Sequence, residues 1–318
     1  MSSDRSLPFA DESTAYDPSL LRRMLGGAAA PPAPAGEAEP VDEAELFDEG
    51  EGPATEREAA TERGAATAVH ASAIVAPEAR LDPGVEVGPF VVVGAQVEVG
   101  PGCKLLASCV LEGPLVLGAG NRVHPFAVLG APPQDRSHEG EPTRLVVGEG
   151  NEFREHVTVH RGTAKDRGLT RIGSGGLFMA GSHVAHDCAI GDHVTLANGT
   201  LLGGHVVLED HVVTGGRAAV APKVRVGAGA FLAAGAMVER DVPPFVIAAG
   251  DRARVRALNL VGLERMGVPA SSRGALERAF RHLYHSGRPL AAARASLDPA
   301  LAEDPYVARL LAFLAARG

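Results

Sequence analysis

Aliphatic side chains recur at every sixth position over most of this sequence. The spacing runs unbroken through residues 69–129, where every sixth residue is Val or Leu. It resumes over 147–159 and, after a shift of one residue, over 172–238. A six-residue period matches neither the 3.6 residues of a helical turn nor the two-residue alternation of a strand. It therefore predicts a chain that turns a corner every six residues and points an aliphatic side chain inward from each side.

Three such sides make a triangular coil of about 18 residues, the unit of a parallel β-helix built from hexapeptide repeats. Stacked coils hydrogen-bond to one another and bury a continuous apolar column. Cys103 and Cys109 are six residues apart, so both are expected to be small core side chains rather than redox groups. Two segments, 130–146 and 160–171, interrupt the period. Insertions into a solenoid commonly form outer loops that build the binding face.

Composition divides the chain into three regions. Residues 1–67 hold 15 acidic and 5 basic side chains and an Ala/Pro/Gly-rich stretch, which predicts a disordered acidic tail. Residues 68–250 form the predicted solenoid. Residues 251–318 contain 11 Arg and 6 acidic residues, a net charge of +5, and are expected to form a helical domain whose last helix begins after Asp304 as N-cap. Helices are predicted at 255–266, 271–286, 289–296 and 305–316.

The charge and hydropathy of the chain exclude several classes of protein. A net charge of −9 is unlike the basic face of a nucleic-acid-binding protein. No apolar run approaches the roughly 20 residues that a membrane-spanning helix needs. The N-terminus lacks the basic start and apolar core of a secretory signal, and three Cys cannot make a disulfide framework. We therefore expect a soluble cytoplasmic protein that binds no nucleic acid and does not insert stably into a membrane.

Histidines cluster in the second half of the repeat, at His183, His186 and His205. His183 and His186 flank the inward-pointing Val184, so we expect both near a corner of the coil. Gly204 follows His186 by 18 residues, or one coil, and its missing side chain leaves room for a ligand beside the imidazole. A histidine that titrates near neutrality in such a gap suits a general base. Surface histidines on a polar wall are the alternative interpretation of this spacing.

A zinc site is a further alternative, because three histidines with an open fourth position can activate water. Hexapeptide solenoids of the γ-carbonic anhydrase type bind zinc in this way, with a wider histidine spacing than the three residues between His183 and His186. Gly204 also stands where a ligand would be needed. The sequence therefore favours a site without a metal ion.

Several strings, some of them outside the repeat, carry a more specific signal. They are Gln134-Asp135, Gly140-Glu141-Pro142-Thr143-Arg144, Val159-His160-Arg161-Gly162-Thr163, His183-Val184-Ala185-His186-Asp187-Cys188, Leu202-Gly203-Gly204-His205, Asp241-Val242-Pro243-Pro244, and Asn259 with Gly262-Leu263-Glu264-Arg265. Through them, residues 69–267 closely resemble the UDP-N-acetylglucosamine acyltransferases, the first enzymes of lipid A synthesis. The resemblance implies a left-handed β-helix, a hand that the six-residue period alone does not establish.

The resemblance implies a homotrimer with active sites between adjacent subunits. There, His186 would be the general base that takes the proton from the sugar 3-hydroxyl as this oxygen attacks an acyl thioester on acyl carrier protein. The backbone N–H of Gly204 would stabilise the oxyanion. No cofactor is implied, because acyl carrier protein delivers the acyl group as a co-substrate.

The resemblance also assigns binding roles. Ala234 matches the position that limits acyl-chain length, where long-chain enzymes usually have Gly. The Arg-rich residues 251–318 are expected to meet the acidic carrier protein. The side chains that match positions holding the nucleotide sugar are Asp135, His183, His205, Asn259 and Arg265.

Three further residues depart from the family pattern. Ser137 stands where the family has Lys, and Arg136 and His138 are the neighbouring side chains that could supply its charge. Ala221-Pro222 replaces a His-Gln pair that helps to hold the sugar nucleotide. One alternative is therefore acyl transfer to another (amino-)sugar nucleotide. Another is a non-catalytic solenoid that docks through its acidic tail.

Overall fold

The computed structural model describes residues 66–316, so the predicted acidic tail lies almost entirely outside the described residues. Residues 66–316 form a parallel β-helix followed by short helices. The predicted fold class, a left-handed β-helix of hexapeptide repeats with C-terminal helices, is confirmed. Most strands are two residues long, and the chain passes in turn through three sheets that form the sides of the coil.

The first sheet holds β1 (Ala68–Val69), β4 (Glu86–Val87), β7 (Lys104–Leu105), β10 (Arg122–Val123), β13 (Glu152–Phe153), β16 (Leu177–Phe178), β19 (Thr195–Leu196), β22 (Val213–Thr214), β25 (Phe231–Leu232), β27 (Val246–Ala249) and β28 (Arg254–Leu258). The second holds β2 (Ile74–Val75), β5 (Val92–Val93), β8 (Val110–Leu111), β11 (Val128–Ala131), β14 (Thr158–His160), β17 (His183–Val184), β20 (Leu201–Leu202), β23 (Ala219–Val220) and β26 (Met237–Val238). The third holds β3 (Arg80–Leu81), β6 (Val97–Val99), β9 (Leu115–Leu117), β12 (Arg144–Val147), β15 (Leu169–Ile172), β18 (Ala189–Ile190), β21 (Val207–Leu208) and β24 (Arg225–Val226).

The six-residue period is the period of the core. Val87 pairs with Leu105 and Val220 with Val238, each one coil apart, so equivalent side chains stack inside the triangle. All four are at most 4% exposed, and the predicted core residues Cys103 and Cys109 are fully buried. Apolar burial of this kind is the main stabilising contribution to a solenoid, whose coils contact only their neighbours.

One corner of the coil, between the second and third sheets, carries both insertions into the repeat. We call it the site corner. Both insertions leave from it in successive coils, as residues 132–143 between β11 and β12 and residues 161–168 between β14 and β15. In the next two coils the corner residues are Asp187 and His205, with φ of 61° and 62°. This left-handed backbone is uncommon for residues other than Gly, and it turns the chain sharply between short strands.

The C-terminal region contains α1 (Leu260–Arg265), α2 (Ala270–His285), α3 (Leu290–Ala295), α4 (Pro299–Ala302) and α5 (Pro305–Ala315). Asp304 caps α5 as expected, because its carboxylate accepts hydrogen bonds from the N–H groups of Tyr306 and Val307. Arg309 on α5 reaches Glu209 of the solenoid at 3.0 Å. Of the helices within residues 66–316, none is long and apolar enough to span a membrane.

The predicted helix over 255–266 is wrong in its first half. Residues Arg254–Leu258 form β28 instead, which pairs antiparallel with β27 (Val246–Ala249). Val255 is partly buried, Leu258 is buried, and the Arg residues between and beside them are exposed, so the segment suits the open edge of the first sheet. The sheet therefore continues past residue 250, where the sequence suggested that the solenoid ends.

Candidate active site

A buried carboxylate and an imidazole form the centre of the site corner. His186 Nδ1 lies 2.8 Å from Asp187 Oδ2, and the Asp187 side chain has no exposed surface. Because a carboxylate only accepts hydrogen bonds, Nδ1 carries a proton in this pair, and Nε2 is the ring nitrogen left to face a ligand. The His186 side chain is 19% exposed, so the ring is held by the protein but can be reached from outside.

Asp187 also fixes the second insertion. Its Oδ1 accepts a hydrogen bond from the Thr163 N–H at 2.9 Å, and its Oδ2 accepts one from Thr163 Oγ1 at 2.7 Å. The Asp187 N–H donates in turn to Thr170 Oγ1 at 2.8 Å. One carboxylate therefore orients the His186 imidazole and also anchors the start of the second insertion, so a movement of either would shift the other.

Gly204 lies one coil above His186, as the 18-residue spacing predicts. A Cβ built on Gly204 would stand 2.6 Å from Cε1 and 2.8 Å from Nε2 of His186, so any side chain at this position would have to displace the imidazole. The Gly204 carbonyl accepts a hydrogen bond from the Lys223 N–H at 2.9 Å, whereas its own N–H makes none within residues 66–316. A bare backbone donor therefore lies beside the basic nitrogen.

Two further histidines line the wall below this pair. His183 Nδ1 is 2.8 Å from Thr158 Oγ1, and its ring meets that of His160 edge-on, with 5.3 Å between centroids. His160 Nδ1 donates to the Pro132 carbonyl at 2.6 Å. Burial, with smaller contributions from His160 and His186, lowers the pKa of His183. His183 is therefore neutral at physiological pH and can donate or accept a hydrogen bond.

His205 lies on the other side of the pair. Its ring is perpendicular to that of His186 with 5.2 Å between centroids, and its Nε2 lies 3.8 Å from Asp187 Oδ2. Its Nδ1 is 3.2 Å from Asp166 Oδ2 in the second insertion. The second insertion therefore contacts both His205 and the carboxylate that orients His186.

Asp135 belongs to the same corner through the first insertion. Ser137 donates to its Oδ1 from N–H at 3.0 Å and from Oγ at 2.9 Å, and Lys165 Nζ lies 2.8 Å from its Oδ2. These hydrogen bonds, that from Lys165 foremost, hold the pKa of Asp135 well below its usual range. The cation that contacts Asp135 is Lys165 from the other insertion, whereas His138, one of the two neighbours that could supply the charge beside Ser137, pairs with Glu141.

Three of the sequence-predicted residues lie away from this histidine cluster. The Asn259 amide caps α1, since Oδ1 accepts from the Gly262 N–H at 2.9 Å and Nδ2 donates to the Gly229 carbonyl at 3.0 Å. Arg265 ends the same helix, with an exposed side chain. Ala234 is exposed at a different corner of the coil, between the first and second sheets.

An apolar groove of about 510 Å³ starts at His183 and runs along the second sheet. Ala221 forms part of its floor, and Asp251 and Glu239 lie at its far end. The other lining residues are Ala185, Leu201, Leu202, Gly203, Ala219, Val220, Met237 and Val238. A groove of this composition suits an aliphatic chain better than a sugar.

Ligand atoms of His186, Asp187 and His205 lie within 4.8 Å of one another, close enough to surround a metal ion. The Asp187 carboxylate already accepts hydrogen bonds from Thr163 and His186, and His205 Nδ1 faces Asp166. A metal ion would have to displace these contacts. The geometry therefore favours a hydrogen-bonded acid–base pair over a zinc centre.

No role in the site could be assigned from the sequence to the residues of the second insertion. Thr163, Lys165 and Asp166 all touch side chains of the site, yet they occupy no position of the six-residue period. The available signal was indirect: both insertions interrupt consecutive coils directly before the histidine segment. That order places them on the same corner as His186.

Comparisons with known proteins agree along the chain. A family model described as "Udp N-acetylglucosamine O-acyltransferase; Domain 2" matches residues 241–318. The acyl-[acyl-carrier-protein]–UDP-N-acetylglucosamine O-acyltransferase of Verminephrobacter eiseniae is 45% identical over 211 residues, which are 65% of this chain and 80% of that protein. The protein of the same name from Caulobacter vibrioides is 50% identical over 183 residues, which are 58% of this chain and 70% of that protein.

Solved structures give the same result for the fold. LpxA from Acinetobacter baumannii is similar with a TM-score of 0.75 and 33% sequence identity, over 78% of this chain and 96% of that one. UDP-N-acetylglucosamine acyltransferase from Francisella novicida is similar with a TM-score of 0.74 and 29% identity, over 78% and 91%. Both the coils and the C-terminal region have counterparts in proteins of known structure.

Proposed function

The chain belongs to the UDP-N-acetylglucosamine O-acyltransferase family, and from this premise we propose that it transfers an acyl chain from acyl carrier protein to the 3-hydroxyl of UDP-N-acetylglucosamine. The reaction is part of lipid A biosynthesis. The observation that carries the proposal is the His186–Asp187 pair below the bare N–H of Gly204. Acyl transfer to a hydroxyl needs a base and an oxyanion donor side by side.

His186 performs the proton transfer. Its Nε2 accepts the proton of the sugar hydroxyl while that oxygen attacks the thioester carbonyl carbon, and Asp187 stabilises the imidazolium that forms. When the tetrahedral intermediate collapses, the carbon–sulfur bond breaks. The departing thiolate takes the proton back from His186, so the imidazole returns to its neutral form.

The Gly204 N–H stabilises the oxyanion of the tetrahedral intermediate. A preorganised backbone donor in this role contributes roughly 3–4 kcal/mol to the transition state. Gly204 is buried, so the donor is shielded from water and acts in a medium of low dielectric constant. The same glycine leaves the space that the reacting carbonyl occupies.

The remaining site residues bind the two substrates. Asp135, His183 and His205 surround the base from the side of the insertions and hold the nucleotide sugar, with Asn259 and Arg265 as further contacts from a neighbouring subunit. The acyl chain lies in the apolar groove, and Ala234 limits its length. Replacing Ala234 by Gly is expected to shift the preference toward longer chains; an unchanged chain profile would remove Ala234 from this role.

The protein acts as a cytoplasmic homotrimer that docks acyl carrier protein. The outward side of the second sheet, the acyl groove included, supports a subunit interface, since Ile74 and the groove residues Leu201 and Met237 are 67%, 50% and 40% exposed. Exposed Arg side chains support carrier docking, because they attract an acidic partner before contact. Among them are Arg252, Arg254, Arg256, Arg278, Arg281, Arg288 and Arg294. The acyl thioester is a co-substrate, and no cofactor takes part.

A second candidate keeps the chemistry and changes the acceptor. Ala221 and Pro222 offer no polar side chain one coil above Gly203 and Gly204, which favours an acceptor with fewer polar contacts, such as another (amino-)sugar nucleotide. An amino acceptor would give an amide, which survives mild base, whereas the 3-hydroxyl gives an ester, which does not. The two products are therefore distinguishable.

The test is an acyl-transfer assay with the full-length protein, UDP-N-acetylglucosamine and acyl carrier protein thioesters of several chain lengths. Mass spectrometry before and after mild base identifies the product. The proposal predicts a monoacylated nucleotide sugar that loses its acyl group in base. A base-stable product on an amino-sugar nucleotide would support the second candidate. Absence of any acylated nucleotide sugar from the folded protein would contradict acyl transfer and leave a docking role.

A further inference from the structure

Lys165 joins the two insertions at the site corner. Its Nζ lies 2.8 Å from Asp135 Oδ2, across 30 positions of sequence, while Ser137 occupies the other oxygen of that carboxylate. The pair lines a cavity of about 210 Å³ whose other lining residues are Ser137, His138, Glu141, Thr163 and Ala164. Both insertions thus supply walls of one small pocket beside the catalytic pair.

The position of Lys165 is set by the catalytic carboxylate. Thr163, two residues earlier, is held by Asp187 through both its N–H and its hydroxyl. The turn then closes on itself, because the Thr163 carbonyl accepts from Asp166 N–H at 3.3 Å and from Gly168 N–H at 3.1 Å. Lys165 therefore projects from a closed turn that is anchored to the residue orienting His186.

Lys165 supplies the positive charge of this pocket. Among the lining residues, Asp135 and Glu141 are acidic, and His138 lies 2.8 Å from Glu141. Lys165 is the lining residue with a permanent positive charge, and its side chain is 61% exposed. An ammonium group has three donors, of which Asp135 uses one, so two remain for a ligand.

A carboxylate beside an ammonium group matches a hydroxyl ligand. A sugar hydroxyl donates its proton to the carboxylate and accepts a hydrogen bond from the ammonium group, so it uses both members of the pair. A diphosphate has no proton to donate, and the two carboxylates of this pocket would repel it. The chemistry of the pocket thus points to the sugar and not to the nucleotide diphosphate.

We propose that Lys165, with Asp135, binds a hydroxyl of the acceptor sugar and takes the place of the cation that Ser137 does not provide. The inference rests on the proposed function for the identity of the acceptor. Lys165 is a binding and positioning residue: it touches the substrate sugar and holds the Asp135 carboxylate, and it exchanges no proton.

The test compares the full-length protein with three variants. K165Q keeps the length of the side chain and removes its charge. S137K/K165Q restores a lysine on the opposite side of the same carboxylate. K104Q is the matched control, because Lys104 also forms an exposed ion pair, 3.0 Å from Glu86, on the first sheet. Each protein is titrated with UDP-N-acetylglucosamine and with UDP in a calorimeter, and the KM and kcat of acyl transfer are measured.

The expected result is a loss of sugar recognition. K165Q should raise both Kd and KM for UDP-N-acetylglucosamine about tenfold, the effect of losing one charge-assisted hydrogen bond, and leave kcat within about threefold. The Kd for UDP should not change. S137K/K165Q should recover most of the lost affinity, and K104Q should match the parent. A role of Lys165 in folding alone would lower the Tm and would not separate the two ligands.

Several results would overturn the inference. One is a Kd for UDP-N-acetylglucosamine that is the same in K165Q as in the parent. Another is an equal loss of affinity for UDP, and a third is a parent protein that does not bind the nucleotide sugar. Failure of acyl transfer is a separate outcome. If the parent binds the nucleotide sugar and K165Q weakens that binding while no acyl product forms, the role of Lys165 stands and the proposed reaction falls.

Discussion

Replacing Gly204 by Ala tests whether the position of the His186 ring controls the reaction. The substitution keeps the Gly204 N–H and changes no charge. It adds one carbon atom at a position 2.6 Å from Cε1 and 2.8 Å from Nε2 of the imidazole. The backbone on either side of Gly204 is fixed, because the Gly203 N–H donates to the Val220 carbonyl and the His205 N–H to the His186 carbonyl, so the ring must move.

The displacement follows from these distances. Ordinary van der Waals contact begins at 3.4 Å, so Cε1 must retreat by at least 0.8 Å (3.4 Å less 2.6 Å). The ring is held at Nδ1 by Asp187 at 2.8 Å, and a movement of this size breaks that hydrogen bond. A misplacement of about 1 Å in a catalytic group lowers the rate about 100-fold. We expect kcat to fall by about that factor.

Single-turnover acyl transfer measures this rate directly, and urea denaturation measures stability beside it. G204A should lose about 100-fold in rate while its free energy of unfolding changes by less than about 1.5 kcal/mol, because the φ of Gly204 lies outside the left-handed region. G274A on α2 is the matched control. A Cβ there would meet only Arg278 Nη1 at 3.6 Å, so the rate should not change and the helix should gain up to about 1 kcal/mol.

A rate for G204A within threefold of the parent would refute the reasoning. It would mean either that the ring can move without loss or that His186 is not the base. The reasoning would also be refuted if the free energy of unfolding fell strongly while the rate per folded molecule stayed that of the parent. In that case Gly204 would be required for packing and not for chemistry.

Two other predictions concern the carboxylate and the wall of the site. D187A removes the acceptor for the hydrogen bonds of His186 and Thr163. We expect kcat to fall about 1000-fold and the free energy of unfolding, measured in urea, to fall by about 2 kcal/mol. An unchanged kcat would contradict the orienting role of Asp187. The pKa of His183 is lower in the folded protein than its value of 6.5 in the unfolded chain. As the pH drops below about 6.5, the unfolded chain therefore takes up a proton at His183 more readily than the folded protein does, and the free energy of unfolding falls. Urea denaturation at pH 7.5 and at pH 5.5 measures this change. The free energy of unfolding should fall less between the two pH values for H183Q than for the parent, and an equal fall would contradict the prediction.

The coil and the centre of the site were predictable because both depend on a period. The six-residue spacing identifies the inward side chains, and its multiple of 18 places Gly204 above His186 and His205 beside Asp187. No knowledge of distant contacts is needed for this, since each coil touches only the next one. The resemblance to a known family supplied the hand of the coil and the assignment of chemical roles.

The contacts of the insertions could not be predicted in the same way. Asp135 and Lys165 are 30 residues apart in two irregular loops, and their meeting depends on how Thr163 is held by Asp187. The strand Arg254–Leu258 was also missed, because its pairing partner β27 had to be in place before the sheet edge was evident. Both misses arise where tertiary contacts, and not local pattern, decide the structure.

The rate of the His186→Ala variant tests the central claim most directly. His193→Ala is its matched control, because His193 is an exposed histidine that stacks on His211 at the opposite end of β18 from Asp187. With UDP-N-acetylglucosamine and acyl carrier protein thioester, H186A should lose about 1000-fold in kcat/KM, while H193A retains the parent value. A fall of less than tenfold in H186A, from a protein that still binds the nucleotide sugar, would contradict the assignment of His186 as the general base.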